Sequence, residues 1–173
     1  MITYDDIAEW YNQWVGTLSM HNDPFFSAVE TLMGDVTGQR ICDLACGQGR
    51  VSRYLADQGA RVVGIDLSAK LLEIARRHEV ELPRGIKYLL ADAQNLDSEE
   101  AGTFDGVICF MALMDMPDLA STINSVTRIL QSDGWFIFSI LQKVAPLLVE
   151  KKGGPQAKPL SEGLTAWRRC VTI

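Results

Sequence analysis

Between residues 40 and 141, short apolar runs alternate with segments of helical period, and this alternation restricts the fold more than any other feature of the chain. "RICDL" (40–44), "RVVGID" (61–66), "IKYLL" (86–90), "FDGVICF" (104–110) and "WFIFSIL" (135–141) read as five strands. Nearly continuous apolar character in so short a run fits a strand covered on both faces. Gln48 to Asp57 reads as a helix ended by Gly59. Ser68 caps a second through about Glu79, with Leu71, Leu72 and Ala75 inward and Pro83 beyond its end. Asp118 caps a third, with Leu119, Ile123, Val126 and Leu130 on one face, and the Asp133-Gly134 turn leads into the last strand. Parallel neighbours require right-handed crossovers, so the expectation is a doubly wound α/β domain. Its ligand belongs at the carboxyl ends of the strands, at the topological switch point.

Two helices precede the first strand. From Thr3 to about Ser19, apolar residues recur at Tyr4, Ile7, Tyr11, Trp14 and Leu18, steps of three and four that share one face. Thr3 can cap this helix, and Asp5 and Asp6 suit its positive end. Asp23-Pro24 then reads as cap and first residue of "PFFSAVETLM", which stops at Gly34.

The stretch "ICDLACGQGR" (41–50) carries the first chemical signal. Gly47 and Gly49 follow a strand and open a helix, where glycine permits positive φ and a close backbone approach to a ligand. Such a turn also occurs with no ligand. A dinucleotide fingerprint G-x-G-x-x-G would run from Gly47 to residue 52, which is serine where close helix packing normally wants glycine. That fingerprint also gives no evident use to Asp43.

"DLACGQG" resembles motif I of the class I S-adenosylmethionine-dependent methyltransferases, an acid separated by three residues from G-x-G. The resemblance implies a Rossmann-like sheet in the order 3-2-1-4-5, with S-adenosyl-L-methionine as cofactor. It implies that Ala45, Gly47, Gln48 and Gly49 wrap the methionine part and that Asp43 helps orient its ammonium; a polar strand end held by loop amides is the alternative for Asp43. "VVGIDLS" places Asp66 and Leu67 at the end of the second strand, where a carboxylate can accept from both hydroxyls of a ribose, though Asp66 would serve a nicotinamide dinucleotide equally. "LLADAQNL" places Asp92 and Ala93 where the family holds the adenine; alone, Asp92 reads as a helix cap. "FDGVICFMALMDMPD" resembles the strand-four motif, with Asp105 near its start and Phe110, Met111 and Ala112 at its exit, whose carbonyls and turn would border the cofactor and acceptor. The opening "YDDIAEWY" looks like the lid helix of small-molecule members, with Tyr4, Tyr11 or Trp14 closing over the cofactor; the same stripe is also a plain packing face.

The implied activity is methyl transfer to a small-molecule acceptor. In-line displacement at a sulfonium needs a base only where the acceptor must lose a proton, and no base is evident. His21 reads as a surface residue that could face the pocket, and His78 sits late in a helix beside Arg76 and Arg77. The net charge, 16 − 22 = −6, argues against nucleic acid as partner. No apolar run approaches the roughly 18 residues of a membrane helix, and the acidic start is unlike a signal peptide, so a cytoplasmic protein is expected. Cys42, Cys46, Cys109 and Cys170 show no metal-ligand spacing; Cys42 and Cys109 lie in apolar runs as small hydrophobes.

Residues 1–141 read as the cofactor-binding domain with its lid helices, and 142–173 as an atypical tail. The charge changes there: 10 basic and 20 acidic residues in 1–141, 6 basic and 2 acidic in 142–173. Family members carry two more strands, and here they are expected to be short, diverged or missing. The last strand would then be an open edge, covered by the tail or by a second copy as a dimer. Two alternatives remain: a cofactor-binding module impaired in catalysis, and a nicotinamide-dependent oxidoreductase.

Overall fold

A computed structural model describes residues 3–16, 20, 23–96 and 102–140. Two helices, α1 (Tyr4–Gly16) and α2 (Pro24–Met33), lead into an alternation of β1 (Arg40–Leu44), α3 (Arg50–Asp57), β2 (Arg61–Asp66), α4 (Ala69–Glu81), β3 (Lys87–Leu90), β4 (Phe104–Phe110), α5 (Leu119–Ile129) and β5 (Leu130–Ser139). The five strands form one parallel sheet in the order β3-β2-β1-β4-β5. The chain therefore reverses direction across the sheet between β1 and β4, and the carboxyl ends of these two strands flank the crevice. No helix among the described residues is long and apolar enough to cross a membrane.

Alternate residues of each strand feed opposite faces. Ile41 of β1 and Ile108 of β4 pack in one core with Phe26, Leu55 and Leu72. Cys42 and Leu44 of β1, with Val107 and Cys109 of β4, pack in the other with Val126 and Ile129. Each fully buried Leu, Ile or Phe contributes about 1.5–3 kcal/mol, so the two layers fix which face every strand residue takes. Asp43 falls on the Ile41 face by this parity and is carried toward α3 rather than α5.

Several element bounds differ from the sequence expectation. Helix α3 begins at Arg50, not Gln48, because residues 47–49 form the turn and Gly49 caps the helix in the left-handed conformation, φ 81°. Strand β5 begins at Leu130 and runs through Asp133 and Gly134, which were expected to form a turn. Leu130 pairs with Phe104, the register shifts, and Trp135 then lies opposite Gly106. Gly106 admits the indole there: a Cβ would stand 2.7 Å from Trp135 Cδ2. Helix α4 extends to Glu81. His21, Cys170 and the whole segment 142–173 fall outside the described residues, as do the expected last turn of the first helix and the last residue of the fifth strand.

The inward stripe of α1 is also rotated from expectation. Ala8 and Val15 are buried and Tyr11 half-buried, whereas Tyr4 and Trp14 are exposed. Ala8 packs on Leu71 and Ile74 of α4, and its short side chain lets the helices approach closely. Polar contacts complete this docking. Asp6 accepts from the Thr3 amide (2.8 Å) and hydroxyl (2.9 Å), a capping arrangement at the start of α1. Asp5 accepts from the Ser68 hydroxyl at 2.5 Å, and Ser68 itself caps α4 by accepting from the Leu71 amide at 3.1 Å.

Candidate functional site

Two chambers open side by side at the carboxyl ends of the strands and share Tyr11, Ala45, Gly47, Phe110 and Met111 as common walls. The first continues past the ends of β2 and β3 to Asp66, Leu67, Asp92 and Ala93. The second runs toward the start of α3, past Asp43 and Gln48 to Asp23 and Arg50. Of the twelve cofactor-binding residues named from sequence, eleven line this double cleft. Gly49 does not: it lies behind the turn, packed on Tyr88, where a Cβ would stand 2.9 Å from the ring carbon that bears the hydroxyl.

The backbone is bent at both edges of the crevice. Ala45, just after β1, has φ 57°, and Met111, just after β4, has φ 59°, the two non-glycine residues with positive φ among those described. Each costs on the order of 1 kcal/mol and persists only where its surroundings enforce it. For Met111 the enforcement is visible, since its amide donates to the Ser139 hydroxyl (2.9 Å) and carbonyl (3.1 Å). Both bends turn backbone into the shared wall. Neither is encoded by a glycine, so no sequence signal could have revealed them.

Asp66 closes the first chamber from below. One carboxylate oxygen accepts from the Gly47 amide at 2.7 Å and the other from the Ser68 amide at 2.8 Å. This single side chain thus ties the glycine turn to the start of α4. Burial raises its pKa and the backbone donors oppose that shift. Asp92 is partly engaged, accepting from the Gln94 amide at 2.9 Å and from its side-chain amide, an Asx turn rather than the helix cap that was its alternative reading. Above them Tyr4 of α1 donates to Asp115 at 3.1 Å, and both residues line the first chamber.

Asp43 is 1% exposed and accepts from the Ser52 hydroxyl at 2.5 Å. Burial lifts its pKa to about 7. The two features that set the sequence apart from a dinucleotide fingerprint, an acid at 43 and serine for glycine at 52, are therefore one buried interaction. Gln48 is also buried, its carbonyl and side-chain oxygen both accepting from Arg53 at 2.7 Å. Asp105 lies at the opposite end of the sheet, accepting from the Arg40 amide at 2.6 Å, and belongs to the scaffold. His78 pairs with Glu81 at 3.7 Å and is not part of either chamber.

A sequence profile described as the methyltransferase domain (Methyltransf_11) matches residues 42–138, more than half of the chain, from within β1 to within β5. The chain belongs to this methyltransferase domain family. Its five-stranded order and its crevice are those of the class I, S-adenosylmethionine-dependent fold. The domain is 36% identical over 115 residues to a ubiquinone biosynthesis O-methyltransferase of Bordetella avium, covering 66% of this chain and 48% of that protein. It is 36% identical over 110 residues to one from Thiobacillus denitrificans, covering 64% and 47%. The chain thus spans about half the length of the curated relatives it matches. A crystal structure of an S-adenosylmethionine-dependent methyltransferase from Mesorhizobium loti superposes with a TM-score of 0.64 at 32% identity, over 70% of this chain and 55% of that one. The [4+2]-cyclase SpnF superposes at 0.67 with 20% identity, over 79% and 57%, which shows the shared fold alone.

The methyltransferase domain's own residues suit its cofactor. S-adenosylmethionine carries a sulfonium and an ammonium, and the chambers are lined by Asp43, Asp66, Asp92 and Asp115. A Cβ on Gly47 would project into the cleft toward Leu71 and Tyr11, 3.8 and 3.9 Å away, and take up ligand space.

Proposed function

We propose that this domain transfers a methyl group from S-adenosylmethionine to a small-molecule acceptor. The observation that carries the reading is the double cleft itself: carboxylates for a nucleoside and an ammonium in adjoining chambers, with one shared wall between them. In this reading Asp66 binds the ribose hydroxyls, and Leu67, Asp92 and Ala93 border the adenine. Asp43, Ala45, Gly47 and Gln48 hold the amino-acid end, and Phe110 and Met111 border the reacting centre. Gly49 acts indirectly, by letting the turn seat against Tyr88.

When bound, the cofactor supplies a methyl group on a positively charged sulfur that leaves as a neutral thioether. The protein's contribution is alignment and exclusion of water, which can reach effective molarities on the order of 10⁵ M. Tyr4, Tyr11 and the α1–α4 contact close one side of the cleft. Trp14, Val15 and Val51 give the second chamber an apolar wall that suits the body of an organic acceptor. The relatives from Bordetella avium and Thiobacillus denitrificans are named O-methyltransferases, which points to oxygen as the methylated atom, and we extend that to this chain.

We further infer a cytoplasmic protein that does not act on nucleic acid, in keeping with its net charge of −6. Strand β5 ends the described sheet and offers an edge on which two copies can pair; sedimentation at varied concentration tests this. We also retain the division into a cofactor-binding domain over 1–141 and a separate tail over 142–173, which limited proteolysis tests.

Titration calorimetry with S-adenosylhomocysteine and with NAD tests the cofactor. Binding of the first and not the second is expected, and binding of NAD alone would overturn the reading in favour of an oxidoreductase. Transfer of radiolabelled methyl to a panel of phenols, quinols and other small hydroxyl compounds tests the reaction. Cofactor binding without transfer to any of them would favour a domain impaired in catalysis.

A further inference from the structure

Residues 46–49 form a turn closed by the Gly49 amide on the Cys46 carbonyl at 2.9 Å. Gln48 stands in it between two glycines in the left-handed region, Gly47 at φ 56° and Gly49 at φ 81°. Glycine leaves that region at little steric cost, so the peptides flanking Gln48 can flip unless something holds them. The cleft needs one state of this backbone. Gly47 and Gln48 border the second chamber, and the Gly47 amide donates to Asp66 at 2.7 Å.

Arg53 supplies the hold from outside the cleft. It lines neither chamber, whereas Gln48 borders both the second chamber and an outer pocket lined by Arg53, Asp57 and Arg84. Arg53 Nη1 donates to the Gln48 carbonyl and Nη2 to Gln48 Oε1, both at 2.7 Å. One planar guanidinium thus grips the backbone and the side chain of the same residue. The Gln48–Gly49 peptide is held at both ends, its N–H by Cys46 and its carbonyl by Arg53. The Arg53 amide in turn donates to the Gly49 carbonyl at 2.9 Å, which roots the clamp in the first turn of α3. Asp57, one helical turn further on, is the acid that an arginine at 53 would ordinarily meet, but Arg84 takes both its oxygens, at 2.7 and 3.2 Å. Burial lowers the Arg53 pKa, and no carboxylate among the described residues forms an ion pair with it. A half-buried cation held by neutral acceptors is a costly way to stabilise a fold. Its use lies in what it holds.

We propose that Arg53 is a positioning residue for cofactor binding, touching no ligand itself and fixing Gln48 so that the glycine turn is already in its binding conformation when the cofactor arrives. The assignment rests on the cofactor reading above. It makes the affinity of the cleft depend on a side chain outside it, because a turn ordered in advance loses less freedom on binding.

The test is calorimetry with S-adenosylhomocysteine at a temperature where circular dichroism shows every variant folded. Arg53→Met should weaken binding about tenfold, the scale of one charge-assisted hydrogen bond, with the loss in entropy rather than enthalpy. Arg53→Lys, which keeps the cation without the fork, should recover part of the affinity. Gln48→Ala keeps the carbonyl and loses Oε1, so its effect and that of Arg53→Met should combine to less than their sum. Amide exchange at residues 47–49 should be faster in ligand-free Arg53→Met and return to the wild-type rate when the ligand is bound. Wild-type affinity in Arg53→Met, no recovery with lysine, additive losses in the double variant, or unchanged exchange each overturn the assignment alone. Failure of the wild-type chain to bind S-adenosylhomocysteine overturns the cofactor reading, and this assignment with it.

Discussion

Tyr88 occupies the space that any side chain on Gly49 would need. Its ring lies under the turn that follows β1, and a Cβ on Gly49 would stand 2.9 Å from Tyr88 Cζ, with φ already at 81°. The second glycine of the motif thus serves packing between the turn and β3, whereas the first faces the cleft. Gly49→Ala should destabilise the fold by about 1–3 kcal/mol through overpacking and an unfavourable φ, read as a lower urea midpoint. Combined with Tyr88→Ala, the penalty should be less than additive, because the second change removes the clash. Additive effects would show that Tyr88 is not what Gly49 accommodates.

Asp66 bridges the glycine turn and α4 and points into the first chamber. Asp66→Ala should weaken S-adenosylhomocysteine binding by about 1.5–3 kcal/mol, the scale of hydrogen bonds to a charged group. Calorimetry that returned wild-type affinity would remove Asp66 from the site.

The buried Asp43 carboxyl should make stability depend on pH. Its folded pKa, raised by burial to about 7 from the ordinary 3.8, means that the folded chain binds the extra proton between those values. The unfolded chain therefore holds fewer protons, and stability falls as pH rises from about 4 to about 7, by at most about 1.4 kcal/mol per pH unit from this group. Asp43→Asn should flatten that part of the profile in urea titrations at stepped pH. An equally sloped profile in the variant would assign the dependence to other groups.

Ser68 serves two helices at once, capping α4 and donating to Asp5 of α1. Ser68→Ala should cost about 1–2 kcal/mol. It should also speed amide exchange within residues 4–16, whereas Asp5→Ala should speed that exchange and leave the cap intact. Unchanged exchange in both variants would show that α1 is held by its apolar contact with Leu71 and Ile74 alone.

The strand order and the position of the cleft were legible in the sequence because both follow from periodicity. Strands that are apolar throughout must be covered on both faces, and covered parallel strands leave only their carboxyl ends for a ligand. Asp43, Asp66 and Asp92 were legible because each lies at or just past the carboxyl end of a strand. The positive φ of Ala45 and Met111 was not, since neither position carries a glycine. The pairing of Arg50 with Asp23 in the wall of the second chamber was not legible, because the two residues lie 27 apart in sequence. The start of β5 was misplaced because Asp133-Gly134 has turn chemistry, and the pairing of Leu130 with Phe104 overrides it.

The pairing of Asp43 with Ser52 also constrains how this chain can change over time. Replacing the serine by glycine alone, as a dinucleotide turn would want, leaves a buried acid in the middle of the sheet without its hydroxyl donor. Replacing the acid alone leaves a hydroxyl sealed under the turn. Passage between the two cofactor classes must therefore alter both positions nearly together, and this valley between viable sequences keeps a lineage on the side where it already stands.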